Sequence, residues 1–180
     1  AQAPAAQPSP EAMVLALEGR APYGAPALVR GERKQEPRVD RGDADVRHID
    51  INFPKLKARG FVTPDAGSSQ IAEEFRVIKR PIIRNAVGRR AVKHGNLVMV
   101  TRALPAEGKT FTSLNLALSI ATEIDSTVLL VDGDVAHPSI PEIIGAPHGP
   151  GLLDLLTRDD LDFGDALVKT NIEKLSVLPA

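Results

Sequence analysis

The sequence predicts an α/β domain in which helices flank a parallel sheet. Two apolar runs, Leu97–Val100 and Val128–Val131, are predicted to be strands, the second of them buried on both faces, and they are separated by a long apolar helical pattern that begins at Thr110. A strand–helix–strand crossover of this kind is right-handed and puts both strands in one sheet, so we expect the two strands to be parallel neighbours. Polar residues follow each run, and the carboxyl ends of parallel strands share one edge of the sheet.

The first 45 residues are predicted to be a disordered linker. They are rich in Pro, Ala, Gly and charge, and they contain too little apolar surface to offset the entropy of ordering. Met13–Leu17 is the only cluster there that could make a short helix. Tyr23, the only tyrosine of the chain, is interpreted as an incidental linker residue rather than a phosphate acceptor.

Residues 46–95 are predicted to form an extension that precedes the core. His48–Phe53 alternates in polarity like a brief strand, and Pro54 is expected to end it. A turn follows, and Ser68 or Ser69 is expected to cap a helix because a serine hydroxyl can accept a bond from the first helical N–H groups.

The helix of this extension is predicted to have one apolar stripe and one charged face. The stripe has spacings of four, three and four residues and consists of Ile71, Phe75, Ile78 and Ile82. Pro81 is expected to kink or end the helix because it removes one backbone donor. Glu73, Arg76 and Lys79 lie three apart on another face, a pattern typical of a solvated surface with Glu–Arg pairing.

The core is predicted over residues 96–180, and its first strand leads into a loop with the composition of a phosphate-binding loop. Gly108 lets the main chain approach a ligand without a Cβ, and the N-terminus of the following helix attracts anions. Lys109 would place an ammonium on the β- and γ-phosphates, and Thr110 would offer its hydroxyl to Mg²⁺. The generic pattern also asks for Gly at the first loop position, where this chain has Ala103.

Two acidic residues stand at the carboxyl end of the second strand. Asp132 and Asp134 are expected to face the same pocket as Lys109 and Thr110. Asp132 could hold Mg²⁺ or take a proton from an attacking hydroxyl, and Asp134 could order the waters of the metal. His137, which follows, is interpreted as a surface histidine of a loop.

The rest of the chain is predicted to contain three short helices and a third strand. The helices are expected at 139–144, 151–156 and 163–169, and the strand at Leu175–Leu178.

Composition excludes some classes of function. The chain has 180 residues, 22 of them basic and 23 acidic, so its net charge of −1 offers no general case for binding nucleic acid or an anionic membrane. It has no cysteine, which excludes disulfides and thiolate metal sites. Its longest apolar runs fall far short of the roughly 18 residues that suggest a membrane span.

These residues resemble the ATP-binding core of the bacterial tyrosine autokinases, which belong to the deviant Walker A group of P-loop ATPases. The resemblance covers roughly residues 71–180. It rests on TRALPAEGKT at 101–110, Asn115-Leu116-Ala117, LLVDGDVAHP at 129–138 and GLLDLL at 151–156. In that family the first loop Gly is commonly missing, as it is here. The family's Asp-x-Asp pair falls on Asp132 and Asp134, whereas the family's Arg before the proline is replaced by Ala136-His137.

The resemblance implies a P-loop NTPase-type parallel sheet that binds ATP and Mg²⁺. The implied catalytic residues are Lys109, Asp132 and Asp134. The implied nucleotide-binding residues form one stretch, Pro105, Ala106, Glu107, Gly108, Lys109, Thr110 and Phe111. The implied Mg²⁺ ligands are Thr110 and Asp132, with Asp134 acting through a water.

The resemblance also implies an activity and partners. Such kinases transfer the γ-phosphoryl of ATP in line to a tyrosine hydroxyl, and they regulate export of exopolysaccharide or capsule. Their activator is a membrane polysaccharide copolymerase, which implies a cytoplasmic protein held at the inner face of the membrane. Glu73, Arg76 and Lys79 resemble the Glu-x-x-Arg-x-x-Arg helix through which subunits of the family associate. Lys79 lacks the planar fork of the family's last Arg.

Two features of the family do not follow Leu178 in this sequence. They are a later strand ending in another Asp and a C-terminal tyrosine cluster, so the chain is expected to be an N-terminal fragment whose core is incomplete at its C-terminus. One alternative is a partition- or septum-positioning ATPase of the same group, but such proteins usually carry a second lysine early in the loop, and residues 102–106 have none. The other is a non-catalytic adapter that docks on a membrane partner.

Overall fold

The computed structural model describes residues 12–19 and 46–180, except Ala66, Ser68, Gly88, Arg90, Arg102 and Pro105, and for residues 12–19 it describes the backbone. In chain order the elements are β1 (Ala12–Gly19), β2 (Arg47–Ile49), α1 (Phe53–Ala58), α2 (Gln70–Ala86), β3 (Leu97–Thr101), α3 (Lys109–Ala121), β4 (Ser126–Val131), α4 (Ile140–Ile144), α5 (Leu152–Thr157), α6 (Phe163–Ala166), β5 (Val168–Thr170) and β6 (Leu175–Leu178). The strands form one sheet in the order β2-β5-β6-β4-β1-β3.

The predicted α/β class is confirmed, and the three strands predicted in the core run in the same direction. β4 pairs in parallel with β6, with Val128 opposite Leu175 and Val131 opposite Leu178. β3 has the same direction as β4, because β1 is antiparallel to both. β5 is antiparallel to β6 and parallel to β2. The sheet is therefore mixed around a parallel core, and the predicted strand Leu175–Leu178 is confirmed.

The prediction that β3 and β4 are neighbours is wrong. β1 lies between them and pairs antiparallel with each, from Ala12 opposite Thr101 to Gly19 opposite Ser126. The crossover through α3 therefore skips one position in the sheet. The expected short helix at Met13–Leu17 is wrong as well, since these residues belong to β1. The other residues of the predicted linker, 1–11 and 20–45, lie outside the described part of the chain.

Helix α3 is the centre of the hydrophobic core. It begins after Gly108, whose φ of +83° is a left-handed conformation that glycine adopts at little cost. The residues of α3 that are almost completely shielded from solvent lie on several sides of the helix: Leu114, Leu116, Ala117, Leu118 and Ile120. They pack with buried side chains of β4 and β6, including Leu130 and Val177. The prediction of a helix buried between the sheet and a second layer is thus confirmed.

Helix α2 supplies that second layer. It begins at the predicted N-cap Ser69, whose hydroxyl accepts a bond from the Ala72 N–H at 3.3 Å. Pro81 does not end the helix, which continues to Ala86. Phe75 is buried, but Ile78 is 45% exposed, so the predicted apolar stripe is rotated from the face that packs on the core.

Lys79 is the residue that takes the buried place on this face. It is 5% exposed, and its Nζ donates to the Ser119 carbonyl of α3 at 2.6 Å and to the Thr122 hydroxyl at 3.3 Å. The prediction that Lys79 shares a solvated face with Glu73 and Arg76 is therefore wrong. A lysine can bury its aliphatic stem and deliver its ammonium to the unsatisfied carbonyls at a helix C-terminus, which stabilises both.

Two short segments differ from their predictions. The strand expected at His48–Phe53 is limited to β2, and Pro54 stands in the first turn of α1, where its missing N–H has no helical partner to lose. The helix expected at 163–169 ends at Ala166, and β5 follows. Among the described helices none combines the length and the apolar character that a membrane span requires.

Candidate functional site

The loop between β3 and α3 has the backbone of an anion-binding turn. Ala106 has a φ of +63° and Gly108 a φ of +83°, two left-handed residues immediately before the first turn of α3. A Cβ built on Gly108 would meet no described atom within 4 Å, so the space beside the loop is open. The first-turn N–H groups of a helix have no partner within the helix, and they lie at the positive end of its dipole. This loop can accept a phosphate group.

The Glu107 carboxylate links the two ends of the loop. Its Oε2 accepts bonds from the Ala103 N–H at 2.9 Å and the Leu104 N–H at 3.1 Å. The carboxylate therefore links the end of the loop to its beginning and fixes the curvature between them. Any contribution of Glu107 to a nucleotide would come from its backbone N–H. Pro105 lies outside the described residues, so its predicted role stays a prediction.

A buried ion pair joins the loop to the end of β4. The Nζ of Lys109 lies 2.7 Å from Oδ2 of Asp134, and the two side chains are 3% and 6% exposed. Removal from water strengthens the attraction between such charges and costs each its hydration. The two residues are 25 positions apart in the chain and meet because both follow strands of the parallel core.

Asp132 organises the turn that follows β4. It is completely buried, and its Oδ1 accepts a bond from the Asp134 N–H at 3.1 Å. Its Oδ2 accepts bonds from the N–H groups of Ser139 and Ile140, each at 3.2 Å. Burial raises the pKa of the Asp132 carboxyl above its ordinary value, against the opposing effect of these three N–H donors. The carboxylate thus connects the end of β4 to the start of α4.

The hydroxyl groups of Thr110 and Ser139 lie 3.0 Å apart, within hydrogen-bonding distance. Thr110 occupies the first turn of α3, and Ser139 immediately precedes α4. Ser139 was not predicted to belong to the site. Its position seven residues after Asp132 gave no signal, because the turn between them brings it back to the loop only in the folded chain.

The remaining predicted residues are distributed differently. The Phe111 ring packs against Phe61, with ring centroids 5.2 Å apart, so its side chain contributes to the core. His137 is exposed, as predicted, and its N–H donates to the Asp134 carboxylate at 3.2 Å. Glu73 and Arg76 pair with each other on the exposed side of α2 at 3.1 Å.

The residues present fit a nucleotide with a divalent cation, although the site is not a dedicated metal cage. Within the described ranges no group of three His, Cys, Asp or Glu side chains is arranged to hold an ion. Mg²⁺ is usually held by one or two protein oxygens together with phosphate oxygens and waters. The Thr110 hydroxyl at the start of α3 and the Asp134 carboxylate, which contacts Lys109 Nζ, are oxygen donors of this kind.

Comparison with known proteins links the chain to tyrosine kinases. It is 47% identical over 64 residues to the "Putative tyrosine-protein kinase EpsB" of Ralstonia nicotianae, an alignment of 36% of this chain and 8% of that protein. It is 31% identical over 107 residues to the tyrosine-protein kinase YwqD of Bacillus subtilis, an alignment of 59% of this chain and 43% of YwqD.

A third relative has a name that refers to a polysaccharide. The chain is 29% identical over 137 residues to the succinoglycan biosynthesis transport protein ExoP of Rhizobium meliloti, an alignment of 73% of this chain and 16% of ExoP. The chain spans less than half the length of each of these three relatives. No protein-family model matches it, and no solved structure matches it.

Proposed function

We propose that the chain is a member of the bacterial tyrosine autokinases, and that its α/β domain binds Mg-ATP and forms the ATP-binding part of a protein-tyrosine kinase. Its similarity to proteins named as tyrosine-protein kinases supports this proposal. The observation that carries the proposal is the buried pair of Lys109 and Asp134, which stands beside an open, glycine-containing loop at the start of α3. A helix N-terminus, an ammonium and a carboxylate in one place match the charges of a nucleotide triphosphate and its cation.

Each of these residues would have a separate role in binding the nucleotide and its cation. The first-turn N–H groups and the Lys109 ammonium would bind the phosphates and neutralise their charge, while the Thr110 hydroxyl would contact the cation. Mg²⁺ held near Thr110 and Asp134 would supply positive charge that offsets the charge on the phosphates during transfer. Asp134 would accept a hydrogen bond from a water of the cation. Glu107 would keep the loop in its curved form through the Ala103 and Leu104 N–H groups.

Asp132 fits a supporting role better than proton transfer. Its two oxygens already accept three backbone N–H bonds, and the side chain is completely buried. Acceptance of the tyrosine proton by Asp132, the role expected from the sequence, therefore requires the turn at Ser139 and Ile140 to open. Burial raises the pKa of Asp132, which would favour the protonated product of such a step.

We further propose a role for this kinase in the production of a polysaccharide. The name of ExoP refers to succinoglycan biosynthesis and transport, which supports a role in exopolysaccharide or capsule production. The acceptor would be a tyrosine of the kinase itself, and the activator would be a membrane polysaccharide copolymerase that holds the protein at the inner face of the membrane.

The test measures nucleotide binding by the 180-residue chain through titration with fluorescent mant-ATP in the presence of Mg²⁺. Lys109→Met should weaken binding about 100-fold, because a charge-assisted hydrogen bond of about 2 to 3 kcal/mol is lost. Lys57→Met, which removes an exposed lysine of α1, should leave the affinity within about twofold of the wild type. Circular dichroism and a Lys109→Arg variant would separate loss of binding from loss of folding.

The outcomes separate kinase, ATPase and adapter. Lys109-dependent binding together with transfer of labelled phosphate to a Glu–Tyr copolymer supports the proposal. Binding followed by hydrolysis without transfer to tyrosine points to a partition-type ATPase. Wild-type protein that binds no nucleotide, or that binds it equally well without Lys109, refutes the proposal and leaves the non-catalytic adapter.

A further inference from the structure

A serine that the sequence did not assign to the site contacts the residue expected to bind the cation. The Ser139 hydroxyl lies 3.0 Å from the Thr110 hydroxyl. The two residues are 29 positions apart and belong to different elements, one at the start of α3 and the other in the turn before α4. Their contact therefore joins the phosphate loop to the turn that carries Asp134.

The Ser139 hydroxyl is directed away from the local partner that its position predicts. Ser139 is the N-cap of α4, and with Glu142 three residues later it has the Ser-x-x-Glu pattern of a capping box. Its side chain nevertheless makes no cap hydrogen bond within the described residues. Oδ2 of Asp132 accepts the N–H groups of Ser139 and Ile140 instead. Because a carboxylate satisfies the start of α4, the serine hydroxyl is available to Thr110.

The chemistry of a metal-bound hydroxyl explains why such a partner matters. A threonine oxygen that gives a lone pair to a divalent cation still carries its proton, and that proton needs an acceptor. Groups that accept hydrogen bonds from first ligands orient them and commonly change metal affinity 10-fold to 100-fold. The Ser139 oxygen has the required distance from Thr110. Its backbone N–H donates to Oδ2 of Asp132 at 3.2 Å, which holds the residue at the start of α4.

We propose that Ser139 is a positioning residue for the cation: its oxygen accepts a hydrogen bond from the Thr110 hydroxyl and so orients a Thr110 lone pair toward Mg²⁺. This inference rests on the proposed binding of Mg-ATP. It assigns to the turn before α4 a function in cation binding that goes beyond its contribution to the fold.

The experiment compares mant-ADP binding with and without Mg²⁺. Ser139→Ala should raise the Mg²⁺ concentration for half-maximal enhancement of binding about tenfold and leave the affinity measured in EDTA within about twofold. Ser139→Thr keeps the acceptor and should behave like the wild type. Ser176→Ala, the same change at a partly exposed serine of β6, is the matched control and should have no effect on the Mg²⁺ requirement.

A double-mutant cycle distinguishes positioning from a general effect on folding. If Ser139 acts through Thr110, Ser139→Ala in a Thr110→Val background should cause no further change in the Mg²⁺ requirement. An unchanged Mg²⁺ requirement in Ser139→Ala, or additive effects of the two substitutions, would overturn the inference while leaving ATP binding intact. Absence of Lys109-dependent binding in the wild type is a different result, which rejects the proposed function and the inference together.

Discussion

Lysine side chains lie at both ends of α3, but in opposite electrostatic settings. At the C-terminal end, buried Lys79 donates to the Ser119 carbonyl, and Lys174 donates to the carbonyls of Glu123 and Ile124, in the turn that follows the helix, at 2.7 and 2.8 Å. Cations at this end are favoured by the negative pole of the helix dipole. At the N-terminal end, Lys109 stands at the positive pole and is held by the Asp134 carboxylate.

This difference separates stability from binding along one helix. At the C-terminal end, the two lysines donate to carbonyls of the last helical turn and of the turn after it, so these charges connect α2 and the β5–β6 turn to the end of α3. The N-terminal end combines an ammonium, the positive pole of the helix dipole and open space beside Gly108, so this end is suited to an anion. Substitutions at the C-terminal end of α3 should change the free energy of unfolding, and substitutions at the N-terminal end should change ligand affinity.

The largest effect on stability is expected at Lys79. Lys79→Met keeps the aliphatic stem and removes the ammonium, so it should lower the free energy of unfolding by about 2 kcal/mol through loss of charged hydrogen bonds. Nucleotide affinity of the folded variant should stay within about twofold of the wild type. Urea unfolding followed by circular dichroism measures the first quantity, and mant-ATP titration measures the second.

Arg80→Met is the control for Lys79→Met. Arg80 is the next residue of α2 and is exposed, so its substitution should change stability by no more than about 0.5 kcal/mol. A Lys79→Met protein that is as stable as the control would show that the buried ammonium does not stabilise the contacts between α2 and the C-terminal end of α3. A selective loss of nucleotide affinity would show that the two ends of α3 are coupled.

A smaller, pH-dependent effect is expected from Asp132 at the N-terminal end. Burial raises the folded-state pKa of Asp132 above the ordinary value of 3.8. Its contribution to stability is therefore fully present below pH 3.8 and is lost as the pH rises through the folded pKa. The difference in unfolding free energy between the wild type and Asp132→Asn should be largest in acid and decline toward neutral pH.

Urea unfolding of both proteins at a series of pH values from 3.5 to 7 measures this difference. Because both proteins contain the other carboxyl groups, the subtraction removes the pH dependence that those groups cause. Asp160→Asn is a suitable control because that carboxyl is exposed and Arg158 lowers its pKa, which predicts the opposite sign of pH dependence. A wild-type advantage that grows with pH for Asp132 would contradict the burial argument.

The smallest effect is expected at Glu123. Its side chain is 45% exposed and lies 2.7 Å from Lys79, which also bonds to Ser119 and Thr122. Glu123→Gln should therefore cost about 0.5 kcal/mol at low salt, and less at high salt because exposed charges are screened. Unfolding in low and high NaCl tests this. A loss of stability comparable to that of Lys79→Met would mean that the ion pair with Glu123, rather than the hydrogen bond to the Ser119 carbonyl, accounts for the stabilising effect of Lys79.

Much of the fold could be predicted from local sequence patterns. The apolar runs that became β4 and β6 are continuous because these strands lie inside the sheet and are largely shielded on both faces. The apolar run of β3 also predicted a strand, although β3 lies at the edge of the sheet and its Leu97 and Met99 are exposed. The helix between β3 and β4 was visible in its apolar residues, and Ser69 was visible as an N-cap. β1 was missed because its place is decided by pairing with two strands far away in the chain, and β5 because three residues carry too little periodicity.

The sequence by itself determined the chemistry available to this protein: a glycine-containing loop before a helix, a lysine and a threonine at that helix start, and an Asp-x-Asp pair after an apolar strand. These follow from residue types at short spacings. Tertiary structure alone decided that Lys109 meets Asp134, that Asp132 supports a turn, that Ser139 reaches Thr110 and that Lys79 is buried. The physical reason is that hydrogen bonds and burial depend on distances between elements far apart in the chain, which residue spacing does not specify.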